Sequence, residues 1–237
     1  MFSRRLTRSI AIGATAIAVG GGAYGIVSAT ASTGSGAAPA ATSSSATAGQ
    51  AVRSGRGSNA RSGPAAGGAS GTVGSVSKST FTITTSAGQK VTVDESSSTK
   101  YQNGTSSASA NAIKKGERVL VLGTTSGTTI KATQVILQTT GGGSSISSAQ
   151  VIPFQRGAPT TSKQVGQIPA DFSQGSGTIV SGTAANKATE AALAAYPGGV
   201  VDRVVKLSNG EYNVHLIGVN WPHHVFVNQD FKVVGAE

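Results

Sequence analysis

TAANKATEAALAAYPGGVVDRVVKLSNGEYNVHLIGVNWPHHVFVNQDFKVVGAE, residues 183–237, is the stretch whose reading decides the fold. Ala185, Ala188, Ala192 and Ala195 recur at helical spacing, with Lys187 and Glu190 turned outward and Thr183 or Asn186 near a cap. Tyr196-Pro197-Gly198-Gly199 stops that helix, because proline cannot continue it and glycine tolerates the turn. Beyond the stop, Val201, Arg203, Val205 and Leu207 alternate with Asp202, Val204 and Lys206, up to a Ser208-Asn209-Gly210 turn. Tyr212, Val214 and Leu216 alternate in turn with Asn213 and His215. After Asn220-Trp221-Pro222, Val225 and Val227 point one way, and Phe231 and Val233 follow the Asn228-Gln229-Asp230 turn. The spacing predicts one helix packed on a small antiparallel sheet over 178–237.

Working back from there, Thr139 to Gly177 reads as a linker, Gly-rich at Gly141–Gly143. It carries Val151-Ile152-Pro153-Phe154 and Gln164-Val165-Gly166-Gln167-Ile168-Pro169, apolar pieces too short for a domain, which either dock on a neighbour or stay extended. Residues 71–138 carry period-two runs at Thr72–Val76, Phe81–Thr84, Lys90–Val93, Arg118–Leu122 and Thr129–Ile136, broken by turn chemistry at Lys78-Ser79, Ser86-Ala87-Gly88, Lys114-Lys115-Gly116 and Ser126-Gly127. Five short strands, with Phe81, Ile83, Val91, Val93, Val119, Val121, Ile130 and Val135 inward, make a small closed or nearly closed barrel. Ser96 to Asn111 is a polar excursion, and its Asn103-Gly104-Thr105 reads as a turn. Residues 32–70 are Ser, Ala, Gly and Thr with scattered arginines, a flexible tether.

At the amino end, Arg4, Arg5 and Arg8 precede an apolar span from Ile10 to Ala31. As a helix it would rise about 33 Å, against a hydrocarbon core of about 30 Å. Positive residues before the span put the remainder outside the cytoplasm. Residues 1–31 are thus a transmembrane anchor, or else a signal peptide cleaved after Ala29-Thr30-Ala31, which would leave the protein secreted. The first reading makes it a single-pass cell-membrane protein with its bulk extracytoplasmic.

The net charge of +10 is unevenly spread: +6 over residues 1–69, +4 over 70–137, +1 over 138–177 and −1 over 178–237. More than half of the excess lies in leader and tether, where it serves topology and surface contact. Nucleic-acid binding by the barrel would need stacking aromatics, and only Phe81 and Tyr101 are available there, Phe81 on the core alternation. The absence of cysteine excludes disulfides, thiolate metal sites and a cysteine nucleophile.

Two family resemblances follow from the motifs. The Lys114-Lys115-Gly116-Glu117-Arg118-Val119-Leu120-Val121-Leu122-Gly123 run, followed by Ile130-Lys131-Ala132-Thr133, resembles an OB-like bacterial envelope domain over about 71–137. The helix, the Tyr196–Gly199 stop with Val201 and Val204 behind it, Glu211-Tyr212-Asn213-Val214-His215, and the closing Val225–Val227 and Asp230–Gly235 resemble a PepSY domain over about 184–237. That resemblance implies no catalytic residues, and a role in binding a peptide or an exported protease and regulating envelope proteolysis. A structural or wall-associated adaptor without regulatory role is the alternative.

The chain therefore reads as a non-enzymatic, mainly β protein with a small α+β part, needing no cofactor and partnering the membrane and a peptide. Trp221, at an expected exposed turn, is the candidate aromatic anchor, with Tyr212, His223 and His224 as further candidate partner contacts. His215, His223 and His224 are all the histidines of the chain, and Asp202 or Asp230 could add an oxygen to a metal site. Strand geometry argues against it: adjacent His223 and His224 point to opposite faces, and a turn near Trp221-Pro222 sets His215 opposite residues around Val227.

Overall fold

The computed structural model describes residues 63–138, 151–158 and 162–237, all within one compact unit. The expected membrane-spanning segment and most of the tether lie outside the described residues. Among the described residues no helix is long and apolar enough to cross a membrane.

The protein is mainly β with one α-helix. β1 (Ala65–Val76), β2 (Thr80–Thr84), β3 (Lys90–Asp94), β6 (Arg118–Ser126) and β7 (Thr129–Leu137) close a barrel in the order β1-β2-β3-β7-β6 and back to β1. All its neighbours are antiparallel except β3 and β7. All eight residues expected inward are buried, none more than 1% exposed. Between β3 and β6 the polar excursion forms a hairpin, β4 (Lys100–Asn103) and β5 (Ser106–Ala108), turning at Gly104-Thr105, and β4 extends the sheet beside β7.

The carboxyl part opens with α1 (Gly182–Ala195), one residue from the expected start, and buries Ala185, Ala188, Thr189, Ala192 and Leu193. Its sheet is β11 (Val200–Lys206), β12 (Tyr212–Ile217), β14 (His224–Val227) and β15 (Val233–Ala236), antiparallel throughout. A further strand, β13 (Val219–Trp221), leaves this sheet between β12 and β14.

The regions read as separate domains pair directly. β1 starts at Ala65, inside the stretch expected to be tether, and its Gly68 and Ala69 face Val201 and Val200 of β11. The same segment pairs with β6 on its other side, Gly68 against Leu122. β6 is buried from Val119 to Gly123 because its two faces serve different cores. Val119 and Val121 fill the barrel, whereas Leu120 and Leu122 pack with α1 and its sheet. The helix stop is also bolted to the barrel: Thr85 Oγ1 donates to the Gly198 carbonyl at 2.5 Å and Ser86 Oγ to the Pro197 carbonyl at 2.7 Å.

The described parts of 151–180 wrap this body. β8 (Ile152–Pro153) pairs with β13, β9 (Val165–Gly166) with β15, and β10 (Thr178–Ile179) with β11. Val151 is buried in the helix-and-sheet core. Of the two options left open by the sequence, these apolar pieces dock.

Candidate functional site

On the face of the sheet away from α1, a polar row crosses three strands. A bulge between Val201 and Arg203 of β11 breaks the expected alternation, so Asp202 and Arg203 come together and Arg203 Nη1 donates to Asp202 Oδ2 at 3.0 Å. Arg203 stands opposite His215, and His215 opposite His224. This corrects the expected register. With β13 intercalated between β12 and β14 the link is not a tight hairpin, and His215 faces His224 instead of the region of Val227. The three histidines gather accordingly, with ring centroids 5.0 Å apart for His215 and His224 and 6.5 Å for His215 and His223.

Each imidazole is oriented through Nδ1. His215 Nδ1 lies 2.6 Å from Asp202 Oδ1, His224 Nδ1 3.0 Å from Asn213 Oδ1, and His223 Nδ1 3.4 Å from the Leu216 carbonyl. The segment 162–174 covers this row, with Phe172 tilted against His224 at 5.1 Å and edge-on to Phe226 at 4.8 Å. Between the two lies a cleft of about 450 Å³ walled by the three histidines, Lys163, Gln174 and Glu237, with Ser162 and Gln164 at its margin. Gln164 Nε2 donates to Glu237 Oε2 at 3.1 Å. Asp171 fastens the covering segment to the β11–β12 turn by accepting from Ser208 Oγ and the Asn209 amide. Those two hydrogen bonds hold its carboxyl below the usual range. A second cavity, of about 510 Å³, opens at the amino end of α1 beside Thr124, Thr133, Ser181 and Arg203. Its one charged wall residue, Arg203, is already paired with Asp202.

Trp221 is not at an exposed turn. It is 0% exposed, packed edge-on to Tyr196 at 5.5 Å, with Lys163 Nζ 4.3 Å from its ring centre. The reason is β13: pairing with β8 draws the residue inward, and its indole N–H donates to the Lys163 carbonyl at 2.7 Å. Tyr212 is also buried, stacked on Phe231 at 5.5 Å and away from the histidines. The structure therefore brings together His215, His223 and His224, and leaves Trp221 and Tyr212 in the core. Arg203, Asn213, Lys163 and Gln174 are not among the candidate site residues that the sequence offers. The bulge and the long-range docking that place them have no local signature.

Burial pushes His224 down from the ordinary 6.5 to about 3, with His215, His223 and Arg203 adding to the effect against a smaller opposing pull from Asp202. The unfolded chain then binds the proton more readily than the folded one between about pH 6.5 and 3, so stability rises with pH across that window. In chelator-treated protein, acidification from neutral pH should cost up to roughly 4 kcal/mol on account of this group. His224→Gln should flatten the dependence of Tm on pH, and an unchanged slope would contradict the assignment.

Comparison with family models, with curated proteins and with solved structures gave no match.

Proposed function

We propose that this chain is a non-enzymatic, membrane-anchored exported protein whose PepSY-like helix-and-sheet half seats an extended segment of a peptide or peptidase, and through it regulates envelope proteolysis. The OB-like barrel serves as its rigid mount. The barrel's strand order, with its single parallel pair, supports the OB-like reading, and the helix-backed antiparallel sheet supports the PepSY-like one.

One observation carries the binding role. The outer edge of β15 already holds a short extended strand from elsewhere in the chain: Gly235 faces Gly166, Ala236 faces Val165, and the Gln167 amide donates to the Val234 carbonyl at 2.8 Å. A sheet edge of this kind recognises an incoming peptide through main-chain hydrogen bonds. The Trp221 indole N–H adds a fixed donor to the Lys163 carbonyl. Trp221 thus acts as the buried wall of the seat. A side chain is excluded at one register, because a Cβ on Gly166 would lie 2.2 Å from the Val234 carbonyl oxygen. The partner segment accordingly carries glycine there.

The test replaces residues 162–168 with a Gly/Ser linker, opening the edge, and adds a labelled peptide of residues 162–169. Fluorescence anisotropy should report saturable binding, and the same peptide with Gly166→Val should not bind. A folded open-edge variant that binds neither peptide would refute the seat.

A further inference from the structure

The tautomers of the three histidines are fixed by what their Nδ1 atoms meet. A carboxylate and a carbonyl can only accept, and so can the Asn213 Oδ1 atom. In each neutral ring Nδ1 therefore carries the hydrogen and Nε2 the lone pair. The three histidines and Glu237 border one cleft. An imidazole whose N–H is donated to a carboxylate or carbonyl is the arrangement that orients histidine as a metal ligand and raises its basicity. Nitrogen-rich donor sets without thiolate suit late first-row dications more than magnesium or calcium.

The spacing separates a ready pair from ligands that must move. Two imidazoles bound at about 2.0–2.1 Å to one tetrahedral ion have ring centres about 5 Å apart. His215 and His224 stand at 5.0 Å, whereas His223 is 6.5 Å from His215. As they stand, no three or more His, Asp or Glu among the described residues are placed to hold a metal ion. His223, exposed in the bend between β13 and β14, and Glu237, just after β15, are the two ligands that would have to turn inward.

We propose that the cleft captures one late first-row divalent ion on His215 and His224, with Asp202 orienting His215, and that His223 and Glu237 close on the ion once it is bound. Lys163 and Arg203 are the neighbouring cations. Arg203 is neutralised by Asp202, and Lys163 is drawn over the Trp221 ring. Segment 162–168 walls this cleft and also fills the seat on β15, but none of the four proposed ligands lies in it, so metal retention and peptide binding are measured separately and either can fail alone.

Equilibrium dialysis of the full, untagged chain against zinc, nickel and magnesium, with metal analysis, tests it. The expected result is one equivalent of zinc or nickel retained, no magnesium, and a raised Tm in the presence of the retained ion. His215→Phe and His224→Gln should each lower zinc affinity at least tenfold, and Asp202→Asn about tenfold, the usual effect of removing an orienting partner. His223→Ala, at an exposed position, keeps the test valid should the other variants unfold, and should also weaken binding. Absence of retained ion, or retention indifferent to all of these substitutions, would overturn the proposal.

Discussion

Trp221→Ala is expected to lower stability by about 3–5 kcal/mol, the usual cost of truncating a fully buried large aromatic. The side chain has no exposed surface and packs edge-on to Tyr196 in the same core as Ala192, Leu193 and Val219. Its loss also leaves the Lys163 carbonyl without its indole donor, which loosens the segment covering the histidine row. In a body of this size, at about 2–4 °C per kcal/mol, the fall in Tm should be about 6–20 °C. Differential scanning calorimetry checks it, and a near-unchanged Tm would mean that Trp221 is not a core residue.

Gly67→Val is expected to be as damaging, through a different cause. Here β1 is squeezed between two strands: a Cβ on Gly67 would lie 2.0 Å from the Val201 carbonyl oxygen, and one on Gly68 2.2 Å from that of Val121. Neither neighbour can retreat, since β11 is paired with β12 and β6 with β7. The substitution should cost roughly 4 kcal/mol or more. It should also separate the unfolding of the barrel, followed by hydrogen exchange along β2, β3 and β7, from that of the carboxyl half, seen by Trp221 fluorescence. Gly63→Val is the control, because a Cβ there meets nothing within 4 Å. Wild-type stability in Gly67→Val would contradict the pairing that fuses the two halves.

These two positions also show what could and could not be seen in the sequence. The barrel interior was legible, because alternation of Phe81 with Ile83 and Val91 with Val93 leaves no other face to bury. So were the helix and its Pro-Gly-Gly stop. The first half of β1 was not: Ala65-Ala66-Gly67-Gly68-Ala69-Ser70 has the composition of a tether, and only the close approach of β11 and β6 shows why small residues are required there. The unbroken Val119-Leu120-Val121-Leu122 run could have been read as a strand buried on both faces, which is what a junction between two cores demands. The register that gathers the histidines was not legible, for a local reason. A bulge in β11 shifts side chains by one residue, and the intercalated β13 moves the partner of His215 by three, from Val227 to His224. A period-two reading carries any such shift through to the end of the strand. The covering segment 162–174 offers no periodicity, so its contribution depends on long-range docking alone.

The most direct test of the peptide-seat account is hydrogen exchange along Val233–Ala236. In the variant with residues 162–168 replaced by Gly/Ser, the amides of this strand that face the opened edge, Val234 and Ala236, should exchange quickly while that of Gly235, paired with β14, stays protected. The added peptide of residues 162–169 should slow Val234 and Ala236 again while leaving the barrel strands unchanged. Exchange at Val233–Ala236 that stays the same with the peptide bound would place the peptide elsewhere and contradict the claim that this edge is where a partner strand is held.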